Sequence, residues 1–213
     1  TARTRGHPPM TDERTGVVVA GGRSVRFGAR DKTVADLAGK PLIRHTAERL
    51  LEATDHLVVN CRDDQRDVIA EALTGLDPTF AIDEEPDRGP VGGIATGLRA
   101  AETPYAAVAA ADMPLLDSGL FEYLFERAAD HDAAVPRPGD WFEPLHAVYR
   151  PEPMADACEA ALEEEDTRII EPLFSLDYVV VERSDLTAHG SLDSFESVDT
   201  PADLQWAAER LPE

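Results

Sequence analysis

The run from Val17 to Lys32, VVVAGGRSVRFGARDK, has the residue types and spacing to bind phosphate. A β-branched stretch stops at Gly21-Gly22, a basic loop follows, and Asp31-Lys32 closes it. Glycine has no β-carbon, so backbone N–H groups there can approach phosphate oxygens closely. Arg26 can hold such an oxygen through forked hydrogen bonds, and Lys32 can neutralise it as a point charge. The spacing excludes two familiar phosphate loops. Five residues separate Gly22 from Gly28 and Ala29-Arg30 follows, so GxxxxGK[ST] fails, and adjacent glycines do not make GxGxxG. A surface turn with incidental basic residues is the plainer alternative.

Three further positions could act beside that loop. Asp112 follows the small-residue run Tyr105 to Ala111, YAAVAAA. That places it at the carboxyl end of a buried strand, where open α/β sheets bind their ligands. A hard carboxylate there suits Mg²⁺, which keeps several waters and shares its shell with substrate phosphates. The alternative is an aspartate capping a helix before Pro114. Asp199 precedes Thr200-Pro201 and is either a second metal ligand or a cap for the helix that Pro201 opens. His146, alone on a strand, reads as structural, with contact to a bound acceptor as the lesser alternative. Nothing resembles a Ser/His or Cys/His nucleophile. Cys61 and Cys158 lack CxxC spacing, and the six histidines fall singly without HExxH, so neither a disulfide scaffold nor a zinc site is expected.

These residues need a frame, and the hydrophobic pattern supplies one. Short β-rich runs (16–20, 56–60, 79–83, 105–111, 132–135, 143–150, 177–182) alternate with helical spacing (41–53, 63–73, 89–101, 118–129, 152–164, 167–174, and onward from Thr200-Pro201). This predicts α/β architecture: one Rossmann-like three-layer domain on a mostly parallel sheet, with a small antiparallel accessory region at about residues 130 to 185. Residues 1–14 are expected to be a flexible tail, or partly extra sequence before a start at Met10, and 15–213 the folded domain. The segment carries no apolar run of a secretory signal, and no stretch is long enough to span a bilayer. No membrane association is expected, and a reducing cytoplasm fits the cysteine usage.

The charge is extreme: 42 acidic against 20 basic residues in 213, net −22. Free nucleic acid is excluded as a partner, because phosphate backbones need clustered basic residues. Lysine has nearly vanished, with only Lys32 and Lys40 left, both in the segment around the glycine loop. Abundant Asp, Glu and Arg with so little lysine predicts adaptation to a high-salt interior, the plainer alternative being an ordinary acidic protein kept soluble by its charge.

AGGRSVRFGARDK followed by GKPLIRH resembles the opening signature of the molybdenum-cofactor guanylyltransferase family, within the nucleotidyltransferases that share a Rossmann-like fold. Four later segments agree in order: GPVGG (89–93), ADMPL (111–115), PLHAVYR (144–150) and FESVDTPADL (195–204). The resemblance runs from residue 17 to 204. It implies attack of molybdopterin's terminal phosphate on the α-phosphorus of GTP, with Mg²⁺ as cofactor and pyrophosphate as leaving group. It also implies transient contact with other molybdenum-cofactor biosynthesis proteins or recipient molybdoenzymes.

On this resemblance Arg26, Lys32 and Asp112 carry the chemistry, with Asp112 on the metal. Val19, Ala20, Gly21, Gly22, Asn60 and Asp83 join Lys32 and Asp112 in holding the nucleotide. The carboxylate of Asp83 could accept from guanine N–H groups or ribose hydroxyls. Lys40 is a flanking residue of the GKP turn. AGG, where cytidylyl relatives have AAG, favours guanine. The family pattern has asparagine near Asp199 and often cysteine where Ala111 stands. Cytidylyl transfer to the same cofactor, transfer to a sugar or cobinamide phosphate, and an inactive nucleotide-binding regulator are the rival readings.

Overall fold

Thr15–Val19 (β1) is a β-branched run whose Val17 and Val18 are both fully buried, one in the core on each face of the sheet. A computed structural model gives the fold for residues 13–22, 31–85, 88–164 and 168–211. Arg26 and residues 1–12 of the expected tail lie outside the described residues. Arg14 is bound to the domain: its backbone N–H donates to Asp55 Oδ2 at 2.9 Å, and its guanidinium lies 4.5 Å from the centre of the Phe125 ring.

Two short strands, Asp36–Leu37 (β2) and Lys40–Pro41 (β3), form a separate antiparallel ribbon. The remaining strands are His56–Cys61 (β4), Thr79–Ile82 (β5), Ala106–Ala110 (β6), Ala133–Arg137 (β7), His146–Tyr149 (β8) and Tyr178–Glu182 (β9). With β1 they make one sheet in the order β5-β4-β1-β6-β8-β7-β9. Every neighbouring pair is parallel except those of β8, which runs antiparallel to both β6 and β7. The mostly parallel sheet expected from the sequence is therefore present. Its antiparallel part is one strand inserted into the main sheet, plus the β2–β3 ribbon.

Helices Leu42–Leu51 (α1), Arg66–Ala72 (α2), Ser118–Ala128 (α4) and Arg183–His189 (α6) bury their apolar sides against one face. Gly89–Arg99 (α3) and Pro151–Glu163 (α5) cover the other. In α1 the buried residues Leu42, Ile43, Ala47 and Leu50 repeat at helical spacing, which fixes the side that faces the sheet. The near-all-alanine β6 is buried on both faces, and its small side chains let both helical layers close on it.

Local differences have local causes. The strand expected from 143 begins only at His146, because His146 N–H donates to Glu143 O at 3.0 Å and closes a turn. The stretch 63–73 divides into a 3-10 turn, Asp63–Gln65, and then α2. The short α6, with Leu186 as its one buried residue, follows β9 without a linker and was not anticipated. No helix among the described residues is long and apolar enough to cross a membrane.

The topology makes the site. The chain builds β1, β4 and β5 outward in one direction, then returns to lay β6 on the other side of β1. The segments leaving the carboxyl ends of β1 and β6 lead to strands on opposite sides, β4 on one and β7 on the other, and at such a reversal these sheets bind ligands. The last helix, Pro201–Ala208 (α7), packs on the ribbon through a small cluster of Leu37, Leu42, Val198 and Ala207. Val198 N–H donates to Asp112 O at 2.9 Å, so the segment before α7 is tied to the end of β6.

Candidate active site at the carboxyl edge of the sheet

A cleft of about 1110 Å³ opens along this edge. Val19, Ala20, Gly21, Gly22, Lys32, Asn60, Asp83, Asp112 and Asp199 all line it. Every described residue singled out from the sequence for binding or chemistry is thus in one place. Lys40 is elsewhere, half-exposed and paired with Glu48 at 2.8 Å.

Lys32 is at the centre. Its Nζ donates to Asp112 Oδ2 and to Asp199 Oδ1, both at 2.7 Å, and the residue is only 8% exposed. Asp31 sets its backbone: Oδ1 accepts from Thr33 N at 2.9 Å and from Thr33 Oγ1 at 2.7 Å, capping the 3-10 turn Lys32–Val34. Burial disfavours the charged ammonium and is the largest single influence. The hydrogen bonds and charges of Asp112 and Asp199 together outweigh it and hold the Lys32 pKa above the usual lysine value.

The cap of α7 is Thr200, whose Oγ1 accepts from Asp203 N at 3.3 Å while Asp203 Oδ2 accepts from Thr200 N at 2.7 Å. Asp199 is therefore not the capping side chain. Its carboxylate faces Lys32 and accepts from Ser197 Oγ at 3.2 Å. Two hard carboxylates 87 residues apart in the chain thus converge on one cation. Among the described residues no group of three or more His, Cys, Asp or Glu is arranged around a metal position. A divalent ion held by Asp112 and Asp199 would complete its shell with water and phosphate oxygens, a set that suits Mg²⁺.

The other wall is built from Asn60 and Asp83. Asn60 is fully buried, and its Nδ2 donates to Asp83 Oδ1 at 2.6 Å and to Ala81 O at 3.2 Å. Its Oδ1 is buried without a partner among the described residues. A β-carbon on Gly93 would stand 2.6 Å from that oxygen, and one on Gly21 would stand 2.7 Å from Asp83 Oδ2. A side chain on either glycine would therefore crowd Asn60 or Asp83.

His146 is not at the cleft wall. It is fully buried, stacked on Phe121 at 4.5 Å, beside Phe195 at 4.4 Å, with Nε2 3.3 Å from Ser194 Oγ. Burial lowers its pKa to about 3. Between pH 6.5 and about 3 the unfolded chain binds a proton that the folded protein does not, so stability falls as pH falls. The slope is at most about 1.4 kcal/mol per pH unit. His146→Phe keeps the stack without titrating. Its denaturant-measured stability should therefore drop less than that of the parent between pH 6.5 and 4.5, by about 2 to 3 kcal/mol. Equal acid slopes would mean that the ring accepts a proton in place. Cys61 and Cys158 lie in the two opposite cores, and burial, the leading cause in each, pushes both thiols up to about 12.

Arg62 and Gln65, in the turn after β4, were missed. Arg62 Nη1 donates to the carbonyls of Gly21 at 3.0 Å and Gly22 at 3.2 Å, and Gln65 Nε2 donates to Asp31 Oδ2 at 2.5 Å. The available signal was an arginine and a glutamine just past a strand end, CRDDQ, in an otherwise acidic stretch. Arg88, Arg99 and Glu159 also line the cleft unanticipated, with Arg99 held by Asp156 and Glu159 of α5.

A glycine turn, a buried lysine and paired carboxylates at the switch point of a mostly parallel sheet characterise an α/β protein that handles the phosphates of a nucleotide. Residues 16–176 match the MobA-like NTP transferase domain, and the chain belongs to that family. A protein of Natronomonas pharaonis called a probable molybdenum cofactor guanylyltransferase is 69% identical over 199 residues, covering 93% of this chain and 98% of that relative. A Haloferax mediterranei protein with the same description is 38% identical, over 92% and 94% of the two chains. The crystal structure of molybdopterin-guanine dinucleotide biosynthesis protein A from Archaeoglobus fulgidus superposes with a TM-score of 0.76 at 30% identity, covering 92% of this chain and 97% of that one.

Proposed function

We propose that this chain is a Mg²⁺-dependent enzyme that transfers GMP from GTP to the terminal phosphate of molybdopterin, forming the guanine dinucleotide cofactor and releasing pyrophosphate. The observation that carries the reading is the Lys32–Asp112–Asp199 cluster beside the glycine turn, in the cleft at the carboxyl ends of β1 and β6. The names of the relatives support the choice of base and acceptor.

An oxygen of the acceptor phosphate forms a bond to the α-phosphorus of GTP as the bond from that phosphorus to the bridging oxygen of the β-phosphate breaks. A phosphate monoester has a second pKa near 6, so the acceptor is already mostly dianionic at neutral pH. No general base is needed, in keeping with a buried, neutral His146. Lys32, and with it Arg26, neutralises the phosphate oxygens, and backbone groups of Val19 to Gly22 hold the nucleotide. Asn60 and Asp83 bind the nucleoside end, with the Asp83 carboxylate held by the Asn60 Nδ2 donor at 2.6 Å. Asp112 and Asp199 would hold Mg²⁺, which when bound neutralises charge developing on the phosphates.

The test is melting temperature with MgCl₂ and GTP, CTP or ATP, followed by pyrophosphate release with molybdopterin as acceptor. GTP at a hundred times its dissociation constant should stabilise the fold by about 2.7 kcal/mol, and CTP by much less. Equal stabilisation by CTP, or pyrophosphate release from CTP, would overturn the assignment of the base.

A further inference from the structure

The 3-10 turn after β4 is bonded to both ends of the segment that joins the glycine turn to Lys32. At one end Arg62 Nη1 donates to Gly21 O and Gly22 O, and Asp64 Oδ1 steadies the same guanidinium by accepting from Nε at 3.0 Å. At the other end Gln65, 2% exposed, donates to Asp31 Oδ2 while Asp31 Oδ1 caps the turn that carries Lys32. Gln65 Oε1 also accepts from Arg62 N at 3.2 Å, so the two contacts belong to one rigid unit.

Neither Arg62 nor Gln65 lines the cleft, although Gly21, Gly22 and Lys32 do. Any effect they have on a ligand passes through the loop. A trans peptide points its N–H away from its C=O. The Gly21–Gly22 carbonyl is turned to Arg62, so the Gly22 N–H is turned away from it, and both glycines line the cleft. Without Arg62, the negative ends of two peptide dipoles would be free to rotate toward the phosphates.

We propose that Arg62, assisted by Gln65, is a positioning residue that orients the glycine turn to receive the phosphates of the bound nucleotide. The proposal rests on the nucleotide-binding reading above and adds to it that this turn governs phosphate affinity and not nucleoside affinity. Dissociation constants for GTP with MgCl₂, for GMP and for guanosine, measured by calorimetry or competition, test it. Arg62→Met is expected to weaken GTP about 10- to 100-fold, the range of one or two charge-assisted hydrogen bonds. Guanosine should change less than about 2-fold, within the range of a distant substitution. Arg62→Lys keeps the charge but loses the fork, so it should recover part of the GTP affinity. Gln65→Met should give the same selectivity at smaller size. Comparable loss of GTP and guanosine, or unchanged GTP affinity in both Arg62 variants, would overturn the positioning role while leaving the function intact. A parent protein that binds no GTP would overturn both. Arg62→Lys keeps the test open should Arg62→Met fail to fold.

Discussion

Asp112→Ala is expected to reduce turnover at saturating GTP and MgCl₂ by about 1000-fold or more, equivalent to about 4 kcal/mol of transition-state stabilisation. Asp112 stands just past β6, its Oδ2 meets Lys32 Nζ at 2.7 Å, and its backbone is held by Val198 and not by its own side chain. The substitution therefore removes the carboxylate without removing what fixes that stretch of chain. Lys32 keeps its bond to Asp199, so no ammonium is left buried without a partner. The protein should fold, and the defect should appear in kcat, because the lost interaction strengthens as charge moves onto the leaving pyrophosphate. GTP should raise the melting temperature of both proteins, and MgCl₂ should add to that rise in the parent and add little in Asp112→Ala. Asp199→Ala, tested beside it, separates a metal-holding carboxylate from one that only steadies Lys32: the first loses the MgCl₂ dependence of the shift, the second keeps it. Pyrophosphate release from Asp112→Ala at the parental rate would remove Asp112 from the chemistry.

Much of this site was legible because each residue ends a recognisable element. GVVVA before Gly21, HLVVN ending on Asn60, TFAID ending on Asp83 and the alanine run before Asp112 are parallel strands whose carboxyl ends share an edge. Knowing the strands was enough to bring those four positions together. The pairing of Lys32 with Asp199 was not legible in the same way, since 167 residues separate them. It depends on Val198 bonding to Asp112 and on α7 packing against the β2–β3 ribbon, both tertiary events without a periodic signature. The two readings left open for Asp199 turned on which residue caps α7, and a Thr-x-x-Asp box at 200–203 takes that role. Arg62 escaped because its job is to hold carbonyl groups, and a side chain that bonds to distant backbone leaves no motif. Of the antiparallel region expected at about 130 to 185 only β8 is antiparallel, the separate ribbon lies at 36–41, and the sequence does not encode that β8 enters between β6 and β7. That register comes from alanine and valine pairs such as Val108–Ala147 and Ala134–Val148, which fit almost any neighbour.

Raising KCl from about 0.05 M to about 2 M is expected to raise the melting temperature by on the order of 10 °C and to raise turnover with it. A charge of −22 on 213 residues is self-repelling, and the acidic side chains are at the surface: Asp64, Asp67, Glu85 and Asp177 are each at least 71% exposed. At 0.1 M salt the Debye length is about 10 Å, so these charges act on each other and on an incoming nucleotide; at 1 M it is about 3 Å. Salt also weakens attraction, so the sign depends on which pairs lose more. The attractive contacts at the site are direct, at 2.7 Å, and Lys32 is 8% exposed, so intervening ions have little room to act. The repulsion is spread across a solvated surface and is lost first. Several kcal/mol of relieved repulsion correspond to about 2 to 4 °C each in a domain of this size. Screening should act mostly below about 1 M, whereas an excluded solute such as sucrose stabilises by another route at any ionic strength. A melting temperature that climbs with KCl at fixed sucrose, and turnover that climbs alongside it, is therefore the signature of the acidic surface. Turnover falling steadily from low salt would mean that long-range repulsion never limited the binding of GTP, and that the loss of lysine outside residues 32 and 40 has another cause.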